Sequence, residues 1–102
     1  MVTPAYIEAR ESPVYVRPAD QRYFEFDIAG AGSVTWIVDD VSTSTVTDVT
    51  ASIMPGSGSI FADYIKSPLA SGWVVGRTYR ITARYVKSGQ TFNPYIRVIV
   101  LP

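Results

Sequence analysis

"WVVGRTYRIT", residues 73–82, joins a glycine-centred corner to a segment that alternates apolar and polar side chains. In a β-sandwich the chain crosses from one sheet to the other just before the penultimate strand. A tyrosine near the start of that strand packs its ring inward while its hydroxyl bonds upstream backbone. Once buried, the hydroxyl needs a partner, and the crossing backbone has unpaired groups to offer. The stretch therefore predicts Trp73 plugging the end of a sandwich, Gly76 permitting the turn and Tyr79 clamping it. An ordinary core tyrosine following a hairpin is the competing reading.

Outward from this corner a period of two dominates. "RYFEFDI" (22–28) sets Phe24, Phe26 and Ile28 against Tyr23, Glu25 and Asp27. "SVTWIVDD" (33–40) sets Val34, Trp36 and Val38 against Thr35, Ile37 and Asp39. "TYRITARYV" (78–86) sets Tyr79, Ile81, Ala83 and Tyr85 against Arg80, Thr82 and Arg84. Shorter candidates are "PVYVR" (13–17), "DVTASIM" (48–54) and "SIFADYI" (59–65), with a bend or bulge expected near Thr47 and Asp48. The intervening "AGAGS", "PGSGS", "SPLASG" and "KSGQ" combine residues that tolerate positive φ or stop a ladder, so each reads as a turn. No window offers an amphipathic helix of three turns. With the final strand, these runs predict an all-β, immunoglobulin- or fibronectin-III-like antiparallel sandwich of about seven strands. Trp36, in mid-strand, takes the place of the core tryptophan of such sandwiches.

At 102 residues the chain is one domain. A chain this short buries roughly 65% of its unfolded surface, enough for one core. Apolar residues make up 47%, which argues against wholesale disorder. Nine basic and nine acidic side chains cancel, whereas a duplex-binding protein carries a basic surplus. Cysteine is absent, and with it disulfides, thiol nucleophiles and thiolate metal sites. No apolar run reaches the roughly 18–20 residues of a spanning helix. The opening "MVTPAYIEARESP" has no basic-then-apolar signal pattern, so synthesis in the cytosol is expected. Residues 1–12 break the alternation and read as an N-terminal arm before a sandwich of residues 13–102. The arm is either a frayed tail or, through Tyr6 and Ile7, a strap lying on a neighbouring subunit.

Catalysis finds little support. Glu25 and Asp27 share a strand face about 7 Å apart, side by side, whereas a retaining glycosidase pair sits about 5–5.5 Å apart across a cleft. Asp39 and Asp40 lack the further acidic spacing of a calcium loop. The many serines and threonines have no histidine to act as base, and Lys66 and Lys87, at turns after strand ends, stay protonated. The expectation is a non-enzyme with no catalytic residue, metal or cofactor.

The final strand, "TFNPYIRVIVLP" (91–102), is apolar on both sides. Phe92, Pro94, Ile96, Val98 and Val100 form one face; Tyr95, Ile99 and Leu101 flank Arg97 on the other. Pro94 places the early part of the strand at an edge or bulge. A surface strand should be polar outward, so a cover is needed. Either the N-terminal arm of the same chain supplies it or another subunit does. Tyr6, Ile7, Tyr95, Arg97, Ile99 and Leu101 are the candidate partner-binding residues. Arg80 and Arg84, with Thr35 and Asp39, are expected on the same outward face as Arg97.

"SVTWIV" (33–38), the Ser/Thr run after it, "SIFADYI" (59–65) and "GRTYRITARYVKSGQTFNPYIRVIVL" (76–101) resemble the phage fiber–tail adaptor proteins, small immunoglobulin-like components of virions. The resemblance spans about residues 22–101 and is strongest in the last third. It departs from that family at "SPVYVRPADQRYFEFD" (12–27) and in the longer "DDVSTSTVTDVT" (39–50). It implies a structural protein of a tailed-phage virion, an adaptor, neck, tail or decoration subunit. Its partners are then other phage structural proteins and copies of itself, with neither nucleic acid nor membrane, and it is a homo-oligomer in the particle. The alternative class is a carbohydrate-binding module on the same fold, with Tyr6, Tyr23 or Tyr95 stacking on sugars.

Overall fold

The three longest alternating runs become the centre of one sheet. The computed structural model describes residues 6–8 and 12–102. These form β1 (Tyr6–Glu8), β2 (Val14–Val16), β3 (Glu25–Phe26), β4 (Ser33–Asp40), β5 (Thr47–Asp48), the single helical turn α1 (Thr50–Ile53), β6 (Ser59–Ile60), β7 (Ile65–Lys66), β8 (Thr78–Lys87) and β9 (Gln90–Val100). The larger sheet runs β1–β9–β8–β4–β5, with β2 also on β9; the smaller runs β3–β7–β6. The molecule is an all-β sandwich of these two sheets.

Between the sheets lie Val38, Ile81, Val98 and Ile65, each fully buried. Burial of such a side chain contributes roughly 1.5–3 kcal/mol. Aromatic rings bridge the layers. Phe26 from the small sheet meets Trp36 from the large one at 5.8 Å between ring centres, and Phe24 meets Trp73 edge-on at 6.3 Å. In the run 22–28 the burial alternates as its side chains do, with Phe24 and Phe26 buried and Tyr23, Glu25 and Asp27 exposed.

Four expectations need correction. The sandwich is not purely antiparallel: β1 and β2 both pair with β9 in parallel. Since β8 holds the other edge of β9, they lie end to end along one edge and act as one interrupted strand, which makes about eight strands rather than seven. The run 48–54 is no strand. Asp48 Oδ1 accepts both the Thr50 N–H (2.9 Å) and the Thr50 hydroxyl (2.6 Å), and this local bonding turns the chain into α1. The run 59–65 is a hairpin: Phe61 N–H bonds the Tyr64 carbonyl, and the two rings stack at 4.5 Å. Lys66 and Lys87 are the last residues of β7 and β8 rather than following them, and the Lys66 ammonium lies 4.2 Å from the centre of the Tyr23 ring.

Candidate binding surface

At the corner, Gly76 adopts φ 81°, the left-handed region that an L side chain rarely enters. The reversal brings Tyr79 back beneath Val74, and the Tyr79 hydroxyl accepts the Val74 N–H at 3.2 Å. Trp73, 3% exposed, lies edge-on to the Tyr79 ring at 5.4 Å. Trp36 is 8% exposed in the core. Trp73, Gly76 and Tyr79 close the end at which β8 starts and β9 finishes, whereas Trp36 lies in mid-sheet opposite Ala83.

The outward face of the larger sheet follows from register. Thr35, Arg84 and Asn93 form one row, Ile37, Thr82 and Tyr95 the next, and Asp39, Arg80 and Arg97 the third. Each row is tied by its own chemistry. Arg84 Nε donates to Asn93 Oδ1 at 2.8 Å, and Arg80 forms an ion pair with Asp39 at 3.0 Å. Thr82 and Asn93 are nearly sealed from solvent although they lie on this face. The ladder of β8 with β9 lapses opposite Pro94, which has no N–H to give, and resumes beyond it without a change of register.

The expected partner-binding residues gather here in part. Arg97 is exposed; Tyr95, Ile99 and Leu101 are half-buried. Tyr15 of β2 stands beside Ile99 in register and is 57% exposed, an apolar contribution that alternation alone does not reveal because it does not say that β2 pairs with β9. Tyr6 and Ile7 pair through their backbones with Asn93 and Pro94, so this part of the arm lies on its own chain; their side chains fall outside the described residues, as does the rest of 1–5 and 9–11. Ser12 Oγ accepts the Arg97 N–H at 2.9 Å, and the Leu101 N–H bonds the Val16 carbonyl at 2.7 Å. The N-terminal segment therefore closes the outer edge of β9 but leaves Tyr15, Arg97 and Ile99 facing outward together.

Asp40 pairs with Arg77 at 3.3 Å. Bonds from the Ser42 hydroxyl and N–H hold the Asp40 carboxyl below the ordinary carboxylate range, and the Thr50 hydroxyl and N–H do the same for Asp48. Among the described residues no group of three or more acidic side chains is placed to hold a metal ion, and no helix is long and apolar enough to cross a membrane.

Among the described residues, clefts open at the sides of the sandwich. One, of about 270 Å³, lies between β2 and β3 beside Tyr23, Arg22 and Glu25. Another, of about 310 Å³, lies between β4 and β6 and has Trp36 and Met54 among its walls. Gly58 packs against that tryptophan: a Cβ there would fall 2.6 Å from Trp36 Nε1 and inside contact distance of the Lys66 carbonyl. In sequence, Gly58 reads as one more turn glycine.

Comparison with protein-family models, with curated proteins and with solved structures finds no match.

Proposed function

We propose that this chain is a non-enzymatic structural subunit of a tailed-phage virion, an adaptor, neck, tail or decoration protein, that works by binding other structural proteins and copies of itself. One observation carries the reading. A rigid sheet presents Tyr15, Ile99 and Arg97 together on its outward face, an apolar patch beside a cation of the sort found in protein interfaces. The resemblance of residues 76–101 to phage fiber–tail adaptor proteins supplies the particle. Arginine suits such a contact because its planar fork can engage a partner's carboxylate with two bonds. Many copies on a symmetric particle add weak contacts through effective concentration. The protein is made in the host cytoplasm and resides in the virion.

The test is co-sedimentation of the purified chain with tailed particles that lack it. Binding by the wild type, lost in Tyr15→Ala and Arg97→Ala variants that melt normally, supports the reading. Failure of the wild type to bind any such particle refutes it.

A carbohydrate-binding module is the second reading. The observation in its favour is Tyr23, 49% exposed at the mouth of the cleft that Arg22 and Glu25 also line. Against it, Lys66 already occupies a face of that ring. Saturable binding in a glycan screen, lost in Tyr23→Ala, distinguishes this reading from the first.

A further inference from the structure

The main-chain groups of β4 point alternately to its two edges. Val41 N–H bonds the Thr78 carbonyl in the β8 register, so the odd-numbered residues of β4 face β8 and the even-numbered ones face away. On the far edge Val38 is satisfied: its N–H goes to Thr50 Oγ1 at 2.9 Å and its carbonyl accepts the Val49 N–H at 2.8 Å. Asp40 is paired with Thr47. Val34 and Trp36 face the same way, but β5 is two residues long and ends its pairing at Asp39. Among the described residues no strand pairs with β4 there.

The opposite wall repeats the arrangement. Phe61 N–H bonds Tyr64, which fixes Ser59 toward β7 and leaves the main-chain groups of Ile60 facing away from it. The 310 Å³ groove runs between these two edges, with Val34, Thr35 and Trp36 on one side, Ile60 on the other and Met54 between. None of the residues that line it is charged. An exposed strand edge is a template for pairing, and natural proteins blunt one with lysine, proline or other charge; Ser33–Val38 carries none of these.

We infer that this groove is a strand-addition site, and that its occupant is an extended, uncharged segment of another protein chain. The segment pairs with the N–H and C=O groups of Val34 and Trp36 and lays an apolar side chain against Met54 and Ile60. Three residues at about 3.4 Å each span the free edge. Charge is excluded because the neutral walls offer nothing to offset its desolvation. The segment spanning 56–60 stands across from β4, so a single strand enters where a second folded copy, bringing its own such segment, meets a wall. This site lies on the β4 edge, away from Tyr15 and Arg97, and does not depend on the virion reading.

The experiment pans the full chain against a yeast-displayed library of random eight-residue peptides and follows the best binder by amide exchange. The expected result is a peptide uncharged at its centre that slows exchange at Val34 and Trp36 by about tenfold or more, as a new main-chain hydrogen bond does. Val34→Pro removes a donor facing the groove while every bond to β8 stays, and Ile60→Lys places a charge on an already exposed wall position. Each variant is expected to weaken binding by about tenfold. A library without binders, binders indifferent to both variants, or self-association abolished by Val34→Pro overturns the inference.

Discussion

The Tyr79 hydroxyl reaches back five residues to accept the Val74 N–H at 3.2 Å, and the Trp73 ring lies against the same tyrosine. One side chain thus ties the crossing between the sheets to the start of β8. Tyr79→Phe keeps the ring and removes the bond, and is expected to cost about 1 kcal/mol. Tyr79→Ala also empties the space beneath Trp73 and is expected to cost about 3–5 kcal/mol, as for other large buried aromatics. Urea unfolding of the two variants reads the difference; equal losses would mean that the hydroxyl does nothing.

Gly76 and Gly58 are both turn glycines in sequence, yet they are constrained in different ways. A Cβ at Gly76 touches nothing, so Gly76→Ala is opposed by backbone conformation alone, about 1–2 kcal/mol. At Gly58 the added methyl meets Trp36 and the Lys66 carbonyl, and backbone has to move. Gly58→Ala is expected to be the more damaging of the two and to alter Trp36 fluorescence, while Gly76→Ala leaves that emission unchanged.

Acid should weaken the connection from β4 through β5 to α1. The carboxyls of Asp40 and Asp48 are held below their ordinary value of 3.8 by hydrogen bonds from Ser42 and Thr50. A carboxyl whose pKa is lower in the folded state binds fewer protons there than in the unfolded chain. Its stabilising contribution is therefore present above the unfolded value and is lost as pH falls through the folded one. The double variant Asp40→Asn, Asp48→Asn is expected to show a shallower fall in Tm below about pH 4 than the wild type. Parallel acid limbs would count against this.

The outer edge of β9 depends on β1. Removing residues 1–11 uncovers the edge at Asn93–Tyr95 while leaving β2 on Val98–Val100. Faster amide exchange near that edge is expected, together with concentration-dependent self-association, since an uncovered edge pairs with what it meets. Light scattering of the truncated chain checks this; a monomer at all concentrations argues that the arm covers nothing of consequence.

The frame was legible wherever side-chain period and burial coincide. In β4, β8 and β9 the alternation is long enough to set the inward face, and Trp36, Ile81 and Val98 follow from it. It failed where a local bond outweighs the pattern. Val49, Thr50 and Ile53 have strand propensity, but Asp48 bonds Thr50 two residues on and the chain coils. In 59–65 the period of two runs straight through a turn whose closing contact is a pair of stacked rings. The placement of Tyr15 beside Ile99 and the open edge at Val34 and Trp36 were beyond reach for another reason. Both depend on which strand pairs with which and where β5 stops, and alternation carries neither piece of information.

The most direct measurement is quantitative mass spectrometry of tailed particles purified from lysates in which this chain is made. A virion subunit appears in the particle band in a fixed number of copies, stays there through repeated sedimentation and is released when the particle is taken apart. The chain recovered entirely as free protein, with none in intact particles, would contradict the proposal that it is a building block.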